Sequence, residues 1–418
     1  MMKLTTAILV LVGLSGAVSP AQETPSPALL VLHKGDNAMA IVDPSTGEVM
    51  GRVPTGQDPH ELVVSDDGKL AIATNYAGPG PRGGNTLSVI DIAARKEIHR
   101  VDLAPLSRPH GLWFSDGKAY FTAEGSMAIA RYDPKTNRVD WLLGLGQDRT
   151  HMIVVSKDGK TLFTANVNSN TISIIEQGGG PGGRPGGPGG PPPGGPGGPP
   201  PDGPPPGGFG GPPPDGPPPG GFGGPPGGFG GPPGGFGGPP GGFGGPPGGF
   251  GGPPGGRGGP PPGGPGGGPG WRQTVIPVGR GPEGFDVSPD GKQLWAAHSG
   301  DGGISIIDIG SKKVIATIDA GARRSNRLKF TPDGKRALVS AMGGGDLIVL
   351  DTATRSVTKR IPLGRGISGI LIPPDGARAY VALTGDNAIA VIDLKTLAEV
   401  GRLKTGPGPD GMAWLPPN

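Results

Sequence analysis

Apolar residues in this chain come in short runs rather than at helical spacing. Ala28–His33, Ala38–Asp43 and Glu48–Val53 follow one another, as do His60–Ser65, Leu70–Asn75, Thr86–Asp91 and Glu97–Leu103. Each run is apolar or alternating, rich in Val, Ile and Leu, and bounded by Gly, Pro, Asp or Asn. Such runs read as strands, and no segment carries the 3.6-residue period of an amphipathic helix. The pattern predicts an all-β protein.

Two landmarks recur. One is a turn seen as Ser65-Asp66-Asp67-Gly68-Lys69, Ser288-Pro289-Asp290-Gly291-Lys292 and Thr331-Pro332-Asp333-Gly334-Lys335. Asp-Gly between β-runs is a strong hairpin signal, because Gly accepts positive φ and Asp bonds its own turn. The other is an acidic residue closing an alternating strand, at Asp43, Asp91, Asp133, Glu176, Asp308, Asp351 and Asp393. The period is 42 or 43 residues, with a first interval of 48 and one of 132. That interval holds a Gly/Pro block, residues 178–270, so the block reads as an insertion into one hairpin turn. Stretching a four-residue turn to that length costs about 2.8 kcal/mol by loop-closure entropy.

A 42-residue unit of four antiparallel strands, here A to D from the inside outward, is one blade of a propeller. The chain begins with strands B, C and D, and the missing A strand appears at the far end as Gly411-Met412-Ala413-Trp414-Leu415. The two termini are therefore expected to share one blade and close a seven-bladed ring. The segments Gly281–Lys292 (Gly-Pro-Glu-Gly-Phe-Asp-Val-Ser-Pro-Asp-Gly-Lys) and Thr86–Asp91 resemble the consensus of the YVTN β-propeller family. The resemblance covers the chain outside its first 21 residues and the insertion. It implies a seven-bladed β-propeller. It says little of function, since the family includes binding proteins, surface proteins and relatives of haem- or metal-bearing enzymes.

The expected organisation is a signal peptide at 1–21, one propeller from 22–177 and 271–418, and an insertion at 178–270. Met1-Met2-Lys3, the apolar run Ala7–Leu14 and the small residues to Ala21 form the signal, which implies a periplasmic or secreted protein. No other apolar stretch is long enough for a membrane helix, and no membrane anchor is expected. The chain has no Cys, so it forms no disulfides and cannot attach a c-type haem covalently. Of 418 residues, 88 are Gly and 56 are Pro, concentrated in the insertion. That block carries Phe209, Phe222, Phe229, Phe236, Phe243 and Phe250 without aliphatic partners, so it is expected to be disordered. It is either a solvated loop or a weak contact for a partner. A net charge of +3 gives no strong nucleic-acid signal.

Candidate chemistry lies on one face. The first A-strand position, blade by blade, is His60, His110, His151, Glu283, Asn326, Ser368 and Asp410. Two residues earlier stand Arg108, Arg149 and Arg324. The end of strand B gives His33, Asn75, Glu124, Asn166, His298, Met342 and Thr384. Five of the six histidines thus fall on two repeat positions; His99 is the exception. Three uses fit these residues. His60, His110 and His151, with Glu124 or Glu283, could hold a divalent transition metal. Arg and His could form a pocket for an anion, with His moving protons. Or the polar residues simply line a wet channel.

Two function classes follow. The first is a scaffold that binds an unknown small molecule or protein at the channel mouth. The alternative is a metal-dependent oxidoreductase or a lactonase-like hydrolase using the clustered histidines. A Gly-x-Ser-x-Gly nucleophile elbow is absent. Trp113, Trp295 and Trp414 are expected in the core, and the acidic residue closing each C strand is expected to cap its turn.

Overall fold

The computed structural model describes residues 27–78, 83–178 and 270–417. Its strands form seven sheets of four, arranged as the blades of a ring. The first blade orders β28 (Pro409–Leu415), β1 (Ala28–His33), β2 (Ala38–Val42) and β3 (Val49–Pro54) from the inside outward. The chain ends meet here in antiparallel register, Leu30 opposite Ala413 and Ala28 opposite Leu415. Each later blade runs inside to outside in chain order. Its A strands are β4 (Pro59–Val64), β8 (Pro109–Ser115), β12 (Thr150–Val155), β16 (Pro282–Val287), β20 (Ser325–Phe330) and β24 (Ile367–Leu371).

Burial explains the run composition. Strands in the middle of a blade are covered on both faces by neighbouring blades, so all six residues of β1 are buried. Outer D strands meet solvent, and β7 (Lys96–Asp102) is mostly exposed. Blades pack face to face: Trp295, Ile304 and Ile306 of the fifth meet Leu328, Val339 and Ile348 of the sixth. Trp295 is fully buried, but Trp113 and Trp414 are only half-buried. The expectation that all three sit in the core is therefore corrected. The latter two lie on A strands and pack against the edges of the core clusters between blades, Trp414 stacking on Tyr380.

The repeated turns work as their residues suggest. Ser65 donates to Asp67, which also takes the Lys69 amide, while Gly68 adopts φ 69°. At the C-strand ends, Asp43, Asp308, Asp351 and Asp393 accept bonds from the Ser or Thr two or three residues on. Glu176 departs from this and pairs with Lys312 of the next blade.

In the fourth blade β14 (Thr171–Gln177) pairs with β15 (Trp271–Pro277), down to Gln177 opposite Trp271. The insertion therefore leaves and rejoins the chain at the end of one ladder, in a C–D turn. Residues 179–269 and the N-terminal segment read as a signal lie outside the described residues. No described helix is long and apolar enough to cross a membrane.

Candidate functional site at the channel mouth

The A–B hairpin of every blade carries a β-bulge at the same place. The ladder slips between Pro59 and Leu62, Pro109 and Leu112, Thr150 and Met152, Pro282 and Gly284, Ser325 and Leu328, and Ile367 and Ile370. In the first blade it slips between Val31 and His33, opposite Asp410. The bulged residues are His60, His110, His151, Glu283, Asn326, Ser368 and Asp410. A bulge leaves its extra residue unpaired and re-aims the side chain. Here it turns seven side chains into one basin of about 420 Å³ at the mouth of the channel.

The entry to each A strand is also fixed by backbone. Asp58, Arg108, Arg149, Gly281, Arg324, Gly366 and Gly408 all have left-handed φ, between 51° and 67°. Their carbonyls accept the amides of Tyr76, Glu124, Val167, Ser299, Met342, Thr384 and Lys34 respectively. Of this second set, just beyond strand B, Lys34, Tyr76, Met342 and Thr384 line the basin, and Glu124 contacts His151 behind it. Glu124, Met342 and Thr384 belong to it.

His33, Asn75, Asn166 and His298 stand one residue earlier and are not brought into the basin. His33 is buried within its blade, with Nε2 2.9 Å from Thr405 Oγ1. His298 Nδ1 lies 3.0 Å from Asp301. Arg149 lines the basin, whereas the exposed Arg108 and Arg324 do not. Sequence reasoning also passed over Lys34, Tyr76, Glu61 and Arg327. The first two could have been found by applying the Glu124 register to every blade. The last two stand where four other blades carry glycine, at Gly111, Gly284, Gly369 and Gly411.

Those glycines let the innermost strands approach. A Cβ on Gly411 would sit 2.2 Å from the His60 carbonyl oxygen. Into this narrow channel Arg327 projects from the sixth blade and donates to Glu61 of the second. Both side chains are largely buried, so the pair spans the channel beneath the basin. On another side Lys34 Nζ lies 2.6 Å from Asp410. Burial alone would raise the Asp410 pKa, but the charges of Lys34, Arg327 and His60 outweigh it and hold it at about 2.

The imidazoles form a stack. His60 and His110 have ring centroids 4.7 Å apart, His110 and His151 3.8 Å, and Tyr76 packs on His60 at 4.6 Å. His60 Nδ1 donates to the Asp58 carbonyl at 2.9 Å, which leaves Nε2 with the lone pair. Burial, and then the charge of Lys34, lower the His60 pKa; burial followed by its imidazole neighbours puts His110 well below the ordinary range. Both shifts favour the uncharged imidazole.

Glu124 anchors the other end. Its carboxylate contacts His151 Nδ1 and accepts the Tyr76 hydroxyl at 2.7 Å. Burial pushes the Glu124 pKa up, but the bonds from His151 and Tyr76 and the charge of Arg149 bring it below the ordinary value. Tyr76 is raised to about 12 by burial and by Glu124. Arg149 lies 3.7 Å from Glu124 and 3.8 Å from Glu283. His110 Nδ1 and His151 Nε2 are buried and have no hydrogen-bond partner.

No protein-family model matches the chain, and no curated protein of similar sequence is found. Solved structures do match. A protein of unknown function from Desulfotomaculum acetoxidans superposes with TM-score 0.61 at 10% identity, over 94% of this chain and 100% of that one. A putative 6-phosphogluconolactonase from Bacteroides uniformis gives TM-score 0.59 at 14% identity, over 93% and 99%. Hydrazine synthase of Kuenenia stuttgartiensis gives 0.57 at 16%, over 91% and 99%. At these identities the likeness shows the propeller fold alone.

Proposed function

We propose that this protein is an exported propeller of the YVTN type that binds a small polar ligand in the channel-mouth basin. The observation that supports it best is the basin itself, closed below by Arg327 and Glu61 and holding imidazole nitrogens with no partner. A buried polar atom without a hydrogen bond costs on the order of 1–3 kcal/mol. A ligand that satisfies it recovers that cost. The mouth offers donors from Arg149 and Asn326 and acceptors from Glu283 and the imidazoles, so the ligand is small and carries both donors and acceptors. Export rests on the Met1–Ala21 segment. The Gly/Pro/Phe insertion joins the propeller at a C–D turn of the fourth blade, and a partner contact through its phenylalanines belongs to the same proposal.

Thermal unfolding in the presence of small carboxylates, sugar lactones and sugar phosphates tests this reading. A ligand at about 100 times its Kd adds about 2.7 kcal/mol, which reads as a rise of several degrees in Tm. Replacing both Arg149→Gln and Asn326→Ala should abolish the rise and leave the ligand-free Tm nearly unchanged. A library without effect, or a rise that survives the double substitution, overturns the proposal.

A further inference from the structure

We infer that His110, His151 and Glu124 form a site for a divalent transition metal, open on its basin side. The inference rests on the reading of the basin as a ligand site and names the innermost ligand. One donor atom from each of the three side chains lies within 4.8 Å of the others. All three are nearly inaccessible, at 3%, 2% and 5% exposure.

The second observation is independent of that spacing. His110 Nδ1 and His151 Nε2 are buried polar atoms that nothing in the protein satisfies. Each imidazole sits in a position where one nitrogen must stay without a proton or find an acceptor, and no acceptor lies within hydrogen-bond reach. A cation held together with Glu124 would satisfy His110 Nδ1 directly and take His151 through the Nδ1 that already touches Glu124. The proton of His151 then stays on Nε2, 3.7 Å from Glu283. Glu124, held by the Tyr76 hydroxyl, supplies the negative charge.

Local charge points the same way. Lys34 is engaged with Asp410 and Arg327 with Glu61, so these cations are already balanced. At the histidine end Glu124 and Glu283 both lie within 4 Å of Arg149, and Glu283 also acts on the charge of Arg327. Counted together, Asp410, Glu61, Glu124 and Glu283 stand against Lys34, Arg327 and Arg149, one carboxylate in excess. Two nitrogens and one oxygen, with no thiolate in the chain, suit Zn, Cu, Fe or Ni rather than Ca or Mg. Metal–nitrogen bonds of about 2.0–2.1 Å require the donors to draw together by small side-chain rotations. Three protein ligands leave a further position towards the basin, where Arg149 would meet an anion bound to the metal.

The test uses full-length protein stripped with a chelator and titrated with Co²⁺ and then Zn²⁺. The expected result is one equivalent of Co²⁺ per chain, with visible absorption bands of a nitrogen–oxygen site, displaced by Zn²⁺. His151→Gln and Glu124→Gln should each weaken binding by roughly 100-fold, while His298→Gln, at a histidine outside the basin, leaves it unchanged. Circular dichroism of each variant separates loss of the site from loss of the fold. Should His151→Gln unfold, a Co²⁺ spectrum of the wild type that shifts on adding small carboxylates supplies the same decision. Substoichiometric Co²⁺, or affinity equal in wild type and Glu124→Gln, overturns the metal site. Ligand-induced stabilisation that persists in chelator would leave the basin reading standing while the metal falls. Metal binding without any such stabilisation would do the reverse.

Discussion

At the scale of single residues, the pair Arg327–Glu61 makes the firmest demand. Both side chains are buried, 6% and 15% exposed, and they come from blades on different sides of the ring. Removing one partner strands the other charge in a largely buried site. Arg327→Met is therefore expected to cost about 3–5 kcal/mol, read as a lower midpoint in urea unfolding. Adding Glu61→Leu should recover most of that loss, since an apolar pair of similar volume need not desolvate any charge. If the double variant is no more stable than Arg327→Met, the pair does not act as a buried ion pair. Neither residue stood out in the sequence. A charge among glycines at one repeat position is visible only once the register of the A strand is known. The histidines were legible because they repeat. Which of them share a basin was not, since His33 and His298 differ from Glu124 by one step along strand B. In a strand a single step turns the side chain to the opposite face.

Elements explain why that step was missed. Strands such as β1 (Ala28–His33), with both faces covered, show themselves as continuous apolar runs, and their limits follow from the Asp-Gly turns. Counting back from those turns along strand A reaches all seven mouth residues, but counting forward along strand B does not keep register, because the turns differ in length. In the third blade Ser115 pairs directly with Lys118, whereas the turn from Ser65 to Leu70 is longer. The count from Gly that reaches Glu124 therefore stops one residue short, at Asn75, Asn166 and His298, in three other blades. The C–D turn of the fourth blade was easier, because its interruption breaks an otherwise near-constant period. The ladder between β14 and β15 is intact up to Gln177 and Trp271. Replacing residues 178–270 with a four-residue turn should therefore keep the fold and raise stability by about 3 kcal/mol, the closure entropy no longer lost. Urea unfolding of the shortened chain measures it. A loss of stability would mean that the insertion contributes contacts to the blades.

On the scale of the whole molecule, the ring is held by pairing rather than by continuity of the chain. β28 (Pro409–Leu415) brings Ala413 and Leu415 into the core shared with Leu30 and Ile41. It also covers the inner edge of β1 and delivers Asp410 to the basin. A chain ending at Gly408 would expose that edge, a template for aggregation, and leave Lys34 without its carboxylate. It is expected to lose cooperative unfolding and to elute as aggregates in gel filtration. The complementary experiment moves the opening instead of deleting the clasp. Because Ala28 lies opposite Leu415, a short linker can join the present ends, and new ends can be made at residues 270 and 178. This permutant keeps every strand pair and transfers the non-covalent closure to the seven paired positions of β14 and β15. Its Tm should fall within a few degrees of the parent, and it should retain the parent's ligand response. A truncated chain that melts like the parent, or a permutant that does not fold, would show that order along the chain governs this propeller. The apolar pairing across its closing blade would then be secondary.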